Sequence, residues 1–101
     1  MYTIKDYSYK QAKKLGVQIR PSTNSKKKLD VYTKEGVFIC SIGAIDYGDY
    51  PTFIETKGKE YADNRRRLYK IRHEKNRHKV GTPSYWADNI LWWAIYHKYS
   101  F

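Results

Sequence analysis

Between Leu29 and Ile42 the chain alternates apolar and polar positions in the manner of a β-hairpin. Leu29, Val31 and Thr33 take turns with Asp30 and Tyr32, Lys34-Glu35-Gly36 supplies a short turn, and Val37 to Ile42 follows as a β-branched and aromatic run. Val17 to Arg20 shows the same alternation and stops at Pro21, so an antiparallel sheet of two or three strands is expected. A bare hairpin is marginal in water, which requires that the sheet lie on helices. Ser8 to Leu15 supplies one of them: Tyr9, Ala12 and Leu15 recur at helical spacing, Ser8 can cap, and Gly16 suits the residue that ends a helix. Asp49-Tyr50-Pro51-Thr52 reads as the entry to a short helix that stops at Gly58. From Lys59 to about His78 no Pro or Gly intervenes and the composition favours helix. Gly81-Thr82-Pro83 then ends that helix and starts a last one to about Lys98, with Thr82 as N-cap and Pro83 in the first turn. The expected fold is α+β: one domain over residues 1–101, a small two- to three-stranded antiparallel sheet packed with three to four helices, its C-terminal half helical. Residues 21–28 are expected to be a mobile basic loop.

Charge changes this picture of an ordinary small domain. The 101 residues carry 20 Lys or Arg against 10 Asp or Glu, and the surplus is segregated. Residues 1–28 hold eight basic groups and one acid, residues 30–56 one and five, and residues 57–79 ten and three. Eleven Tyr, three Trp and three Phe supply enough bulk to bury, which argues against disorder despite the charge. A folded protein with such a surplus points to a polyanionic partner, nucleic acid first and an anionic membrane surface second.

The densest part is ADNRRRLYKIRHEKNRHK, residues 62–79. On a helix Tyr61, Leu68 and Ile71 form a narrow apolar stripe, expected to pack on the sheet. Arg66, Lys70, His73 and Arg77 form one row and Arg65, Tyr69, Arg72, Asn76 and Lys79 the next. Two rows of donors can straddle phosphates, and each Arg can fork onto one. Like charges at i, i+4 destabilise a helix by about 0.2–0.5 kcal/mol per pair, a cost that a bound anion would offset. The expected nucleic-acid contacts are therefore Arg65, Arg66, Arg67, Lys70, Arg72, Lys75, Arg77 and Lys79, assisted by Lys26, Lys27 and Lys28. They would position the protein without reading sequence.

Other chemistry is thinly supported. His73 and His78 are five apart and cannot share a metal as an i, i+4 pair would, and a single cysteine, Cys40 in an apolar run, excludes an intrachain disulfide and a cysteine zinc site. No cofactor is expected. Asp46 or Asp49 followed by Glu55-Thr56-Lys57 resembles the acid and Glu-x-Lys of some magnesium-dependent nucleases, but that pattern needs a strand and here follows a proline-initiated helix. The chain is read as non-enzymatic, with a nuclease as the third alternative. The aromatic end TPSYWADNILWWAIYHKYSF covers most of a helix circumference, more than a small domain can enclose. Trp92, Trp93, Tyr96 and Phe101 are thus expected to form a contact patch, residues 93–101 serving as a tail for a protein partner or self-association. The N-terminus has no apolar signal segment and the longest apolar run, Ile90 to Tyr96, is far short of the ~20 residues that cross a bilayer, so neither secretion nor membrane insertion is expected.

The order of KQAKKLGVQIRPS, KKLDVYTKEGVFICSIGAIDYGDYPTFI and YADNRRRLYKIRHEKNRHKVGTPSYWADNILW resembles a family of small, basic, uncharacterised proteins of nucleocytoplasmic large DNA viruses, the giant viruses of algae and amoebae. The similarity covers about residues 6–92, with SIGA, DYPT, RRRLYKIRH and GTPSYWADNILW its most specific pieces. It carries no activity to transfer. It implies a viral product located in the virion and in the cytoplasm or nucleus of the infected host cell. There it would bind nucleic acid, DNA before RNA, or serve as a minor capsid protein docked on other virion proteins.

Overall fold

Left-handed glycines and side-chain caps cut the chain into its elements much as the pattern of residues predicts. The computed structural model describes residues 2–93. In chain order these form α1 (Asp6–Leu15), β1 (Val17–Pro21), β2 (Lys27–Thr33), β3 (Phe38–Ala44), α2 (Tyr50–Lys57), α3 (Lys59–Arg77) and α4 (Pro83–Ile90). Gly16, at φ 75°, closes α1 by donating to Ala12 and Lys13. The carboxylate of Asp49 accepts from the Thr52 N–H at the start of α2, and the Thr82 hydroxyl accepts from the Tyr85 N–H at the start of α4. This is an α+β fold with a three-stranded antiparallel sheet and four helices among the described residues.

The sheet runs in the order β1-β2-β3. Its register aligns Ile19, Val31 and Cys40 in one rank and Pro21, Leu29 and Ile42 in the next, which makes one face apolar. Ile19, Leu29, Val31 and Ile42 join Ile4, Ala12, Ile90 and Leu91 in the core, where α1 and α4 pack on the sheet and on each other. Ser8 is part of this junction and not the expected cap: its buried hydroxyl donates to the Ile90 carbonyl at 3.0 Å, and Lys5 occupies the cap position. The α2 and α3 helices form a second layer that reaches the core through α4. Tyr50 joins the layers, its N–H donating to the Leu91 carbonyl and its hydroxyl to Asp63.

The segment expected to be a mobile loop is hydrogen-bonded throughout. The Asn24 side chain accepts from the Lys26 N–H, Ser22 and Lys28 pair through their backbones, and the Ser22 hydroxyl donates to Asp30 at 2.6 Å. Asp30 is buried and forms no ion pair among the described residues. Burial alone would raise its pKa, but donors from Ser22, Ser41 and the Thr23 backbone outweigh it and hold the carboxyl below its ordinary value. These bonds close the β1–β2 turn and start β2 at Lys27, two residues ahead of the expected Leu29.

Lys28 is the main correction to the expected phosphate contacts. Only 4 % exposed, it reaches inward to the fully buried Asp49 at 2.8 Å. The same carboxylate accepts from the Tyr2 hydroxyl at 2.7 Å, and the Lys28 ammonium lies over the Tyr2 ring. Burial first, then the adjacent Asp49 charge, push the Tyr2 phenol far above its ordinary value. Three separate segments thus meet on one carboxylate. Lys28→Met would leave the buried Asp49 without its cation, a loss of about 3–5 kcal/mol. Chemical denaturation should show this as a large drop in midpoint, and an unchanged midpoint would remove the pair from its structural role.

Candidate nucleic-acid interface

Helix α3 does not present the face that its sequence suggests. The stripe Tyr61, Leu68 and Ile71 points to solvent, Ile71 being 63 % exposed. The helix packs on α2 and α4 through Ala62 and Tyr69, both buried, and through the aliphatic stems of half-buried basic residues. A small Ala62 lets α2 approach closely, while Arg and Lys stems cover apolar surface and keep their charged ends at its edge. The basic rows are therefore drawn partly into the protein, where other side chains sort them.

One row finds acids. Lys70 donates to Asp88 at 2.5 Å, and Arg77 bonds both Glu74, at 2.7 Å, and Asp88, at 3.4 Å. Burial lowers the Lys70 pKa against the raising effect of its Asp88 contact. Glu74 is held below its ordinary value by Arg77 and then by His78, which meets its other oxygen. Arg66 lies over the Tyr50 ring at 5.1 Å beside Asp63, a carboxylate that Lys59 and Tyr50 also hold. Arg66, Arg67, Lys70 and Arg77 share a shallow groove with Asp63 and Glu74, a surface of mixed sign. Most of this row stabilises the fold, and it is a poor place for a polyanion.

The neighbouring face, which takes in His73 from the first row, forms no ion pair among the described residues. Arg65, Tyr69, Arg72 and His73 line a cleft of about 600 Å³ between α3, the start of α4 and the β2 and β3 strands. Lys27 and Lys28 enter it from the sheet, Tyr47 and Gly48 from the loop after β3, and no Asp or Glu is among its lining residues. Its wall is a stack of rings. Tyr69 lies parallel to Trp92 at 4.5 Å and 9°, and His73 stacks on Tyr69 at 4.2 Å. Burial, followed by Asp88, pushes the Tyr69 phenol up to about 12, while burial and then Arg72 lower the His73 pKa. Two of its lining glycines have no room for a side chain. Gly43 has φ 80°, and a Cβ there would meet Leu91 at 2.9 Å; one on Gly48 would run into the Phe53 ring.

Of the eleven expected phosphate contacts, Lys28, Lys70 and Arg77 are thus taken by carboxylates, and Arg66 lies over Tyr50 near Asp63. Arg65, Arg67, Arg72, Lys75, Lys79, Lys26 and Lys27 form no ion pair among the described residues. Arg65 approaches the Phe53 ring, and its buried Nε has no hydrogen-bond partner among the described residues. Arg67 donates to the neutral Asn64. Sequence reasoning did not single out Asp88, and it took Asp49 as a helix entry and a candidate nuclease acid, not as one of the buried acids that make this selection.

The remaining candidates fall elsewhere. Glu55 and Lys57 lie on α2, not on the strand that the nuclease pattern needs, and Glu55 accepts from Lys5 at 2.9 Å. Among the described residues no group of three or more His, Cys, Asp or Glu is placed to hold a metal ion. Burial and nearby Asp30 raise the Cys40 thiol. No helix among the described residues is long and apolar enough to cross a membrane. The last helix ends at Ile90, short of the expected Lys98, and its chain turns so that Trp92 enters the core at 7 % exposure. Trp92 is therefore not part of an exposed contact patch, because Tyr69 and Phe53 cover it. Trp93 is half-buried against Tyr7, which donates to its carbonyl, with Lys14 over its ring. Tyr96 and Phe101 lie outside the described residues.

No protein-family model, curated protein or solved structure matches the chain. The site is therefore read from its own residues. For Trp92 the reading is specific: Trp92→Ser should destabilise the monomer by about 3–5 kcal/mol, the cost of emptying a large aromatic site, and lower its melting temperature. A variant that melts with the wild type would return Trp92 to the surface.

Proposed function

We propose that this protein binds nucleic acid without catalysis, gripping phosphates with the cations that its own carboxylates leave free. The observation that carries this reading is the sorting of charge on α3. Lys70 and Arg77 are neutralised by Asp88 and Glu74, whereas Arg65, Arg72 and Lys27 line a cleft without acids. Lys75 and Lys79 on or just after the helix and Lys26 in the turn extend this surplus outward. A polyanion is the partner that relieves the repulsion among such groups, and phosphates match the Arg fork. The resemblance to basic proteins of giant viruses supports viral DNA as that polyanion and the virion as the setting.

A second reading draws on the exposed stripe of Tyr61, Leu68 and Ile71 beside the basic surface. Such a face suits a minor structural protein docked on a neighbouring virion protein, and it replaces the buried Trp92 in that role.

A salt titration with a labelled random-sequence duplex separates the two. For phosphate binding, log K should fall linearly with log salt at about 0.9 per phosphate contact. Replacing Arg72, Lys75 and Lys79 with Ser should flatten the slope by up to about 0.9 for each phosphate no longer gripped, while Lys70→Met should leave it nearly unchanged. Negligible duplex binding at physiological ionic strength would overturn the nucleic-acid reading and turn the same surface into a protein-docking face.

A further inference from the structure

The cleft beside α3 has features that a phosphate grip does not require. Backbone phosphates need exposed cations on a convex or shallow surface, yet this cleft is deep enough to hold a molecule and lined largely by rings and apolar groups. Its volume of about 600 Å³ lies within the range of about 300–1,000 Å³ typical of small-ligand and cofactor sites. Ile42, Ala44, Ala87 and Leu91 give it an apolar lining, and Tyr69 and Trp92 contribute the edge of the stacked wall. Tyr47, 75 % exposed, stands among its lining residues as a ring with little packing of its own. Its free charged groups are all cations, Lys27, Arg65 and Arg72, with the His73 ring and the hydroxyls of Ser41, Tyr47 and Ser84 beside them. Lys28 is also in the lining but is held by Asp49.

A ligand that satisfies this lining must be flat and apolar at one end and anionic at the other. We infer that the cleft holds one nucleoside phosphate, its base against Tyr47 and the aromatic wall and its phosphate between Arg72, Arg65 and Lys27. Two sources supply that chemistry, a free mononucleotide and an unpaired nucleotide of a strand. The second source rests on the nucleic-acid reading above; the first does not. For a strand, the cleft would give the protein a preference for single-stranded or frayed positions, because a paired base cannot leave its stack without cost. Such a preference is one of structure and not of sequence, since every base offers a flat face.

Nitrogen-15 amide spectra of the intact protein, titrated separately with inorganic phosphate, ribose 5-phosphate, AMP, a short oligothymidylate and a random duplex, test the inference. AMP should shift the amides of Ala44, Tyr47, Arg65, Arg72 and His73 and bind about tenfold more tightly than ribose 5-phosphate, the effect of one base stacking on an aromatic ring. Tyr47→Ala and Arg72→Ala, both at exposed positions, should each weaken AMP about tenfold while leaving the rest of the spectrum intact. Shifts of the same amides by the oligonucleotide but not by AMP would support the strand as the source. Equal binding of AMP and inorganic phosphate would overturn the inference by removing the base from the site. So would an absence of cleft shifts with both AMP and oligonucleotide, even if the duplex binds with a steep salt dependence and the phosphate grip stands. AMP binding without any duplex binding would have the opposite meaning: the cleft would stand and the grip would fall.

Discussion

One buried ion pair, Lys28 with Asp49, fixes where the parts of this protein lie. Asp49 is simultaneously the cap of α2, the acceptor for Tyr2 and the counter-ion of a strand residue, so sheet, helix and N-terminal segment converge on its two oxygens. Burying two charges is expensive, and the attraction between them offsets that expense only when geometry and additional hydrogen bonds are good. Here the carboxylate is satisfied by Tyr2 and the Thr52 N–H as well as by Lys28. The pair contributes a single arrangement more than it contributes net stability, because any displacement of α2 from the sheet would leave a charge in the core without a partner. Its neighbour Tyr50 carries the constraint onward, through backbone and hydroxyl bonds to the end of α4 and to Asp63 on α3.

The same principle governs the surface. The chain has twice as many basic as acidic side chains, so which cations stay free depends on where the few acids sit. Asp88 at the end of α4 takes Lys70 and Arg77 from the middle and end of α3. Asp63 and Glu74 take up charge along the same side. The opposite side, bordered by the sheet and the start of α4, has no acid in its cleft and keeps its charge. Fold and candidate site are thus two outcomes of one distribution: acids placed to hold helices together also define the surface they do not neutralise.

Much of the fold was legible because its punctuation is chemical and local. Gly16, Asp49, Gly58 and Thr82 mark helix ends by conformation or capping, and Leu29 and Val31 alternate with polar positions as a strand requires, although the buried Lys28 and Asp30 occupy its other face. Orientation was less legible. The stripe Tyr61, Leu68 and Ile71 looked like the packing face of α3, yet Ala62, Tyr69 and the stems of basic residues occupy that place. Periodicity counts residue types and cannot weigh the methylenes of Arg and Lys, which here bury as well as a short apolar side chain. Lys28 is hidden for a different reason: in a polar run next to Lys26 and Lys27 it looks solvated, and only the long-range approach of Asp49 makes it a core residue. Trp92 likewise depends on tertiary contacts with Phe53 and Tyr69 that no local window contains.

The claim that internal pairing decides which cations meet a polyanion is tested most directly by a lysine-acetylation footprint, read by mass spectrometry with and without a random-sequence duplex. Lys26, Lys27, Lys75 and Lys79 should react in the free protein and be protected by the duplex, while buried Lys28 and Asp88-bound Lys70 should react slowly in both states. Protection confined to Lys10, Lys13 and Lys14, exposed on α1, would contradict the account by moving the interface to a helix on which no such sorting takes place.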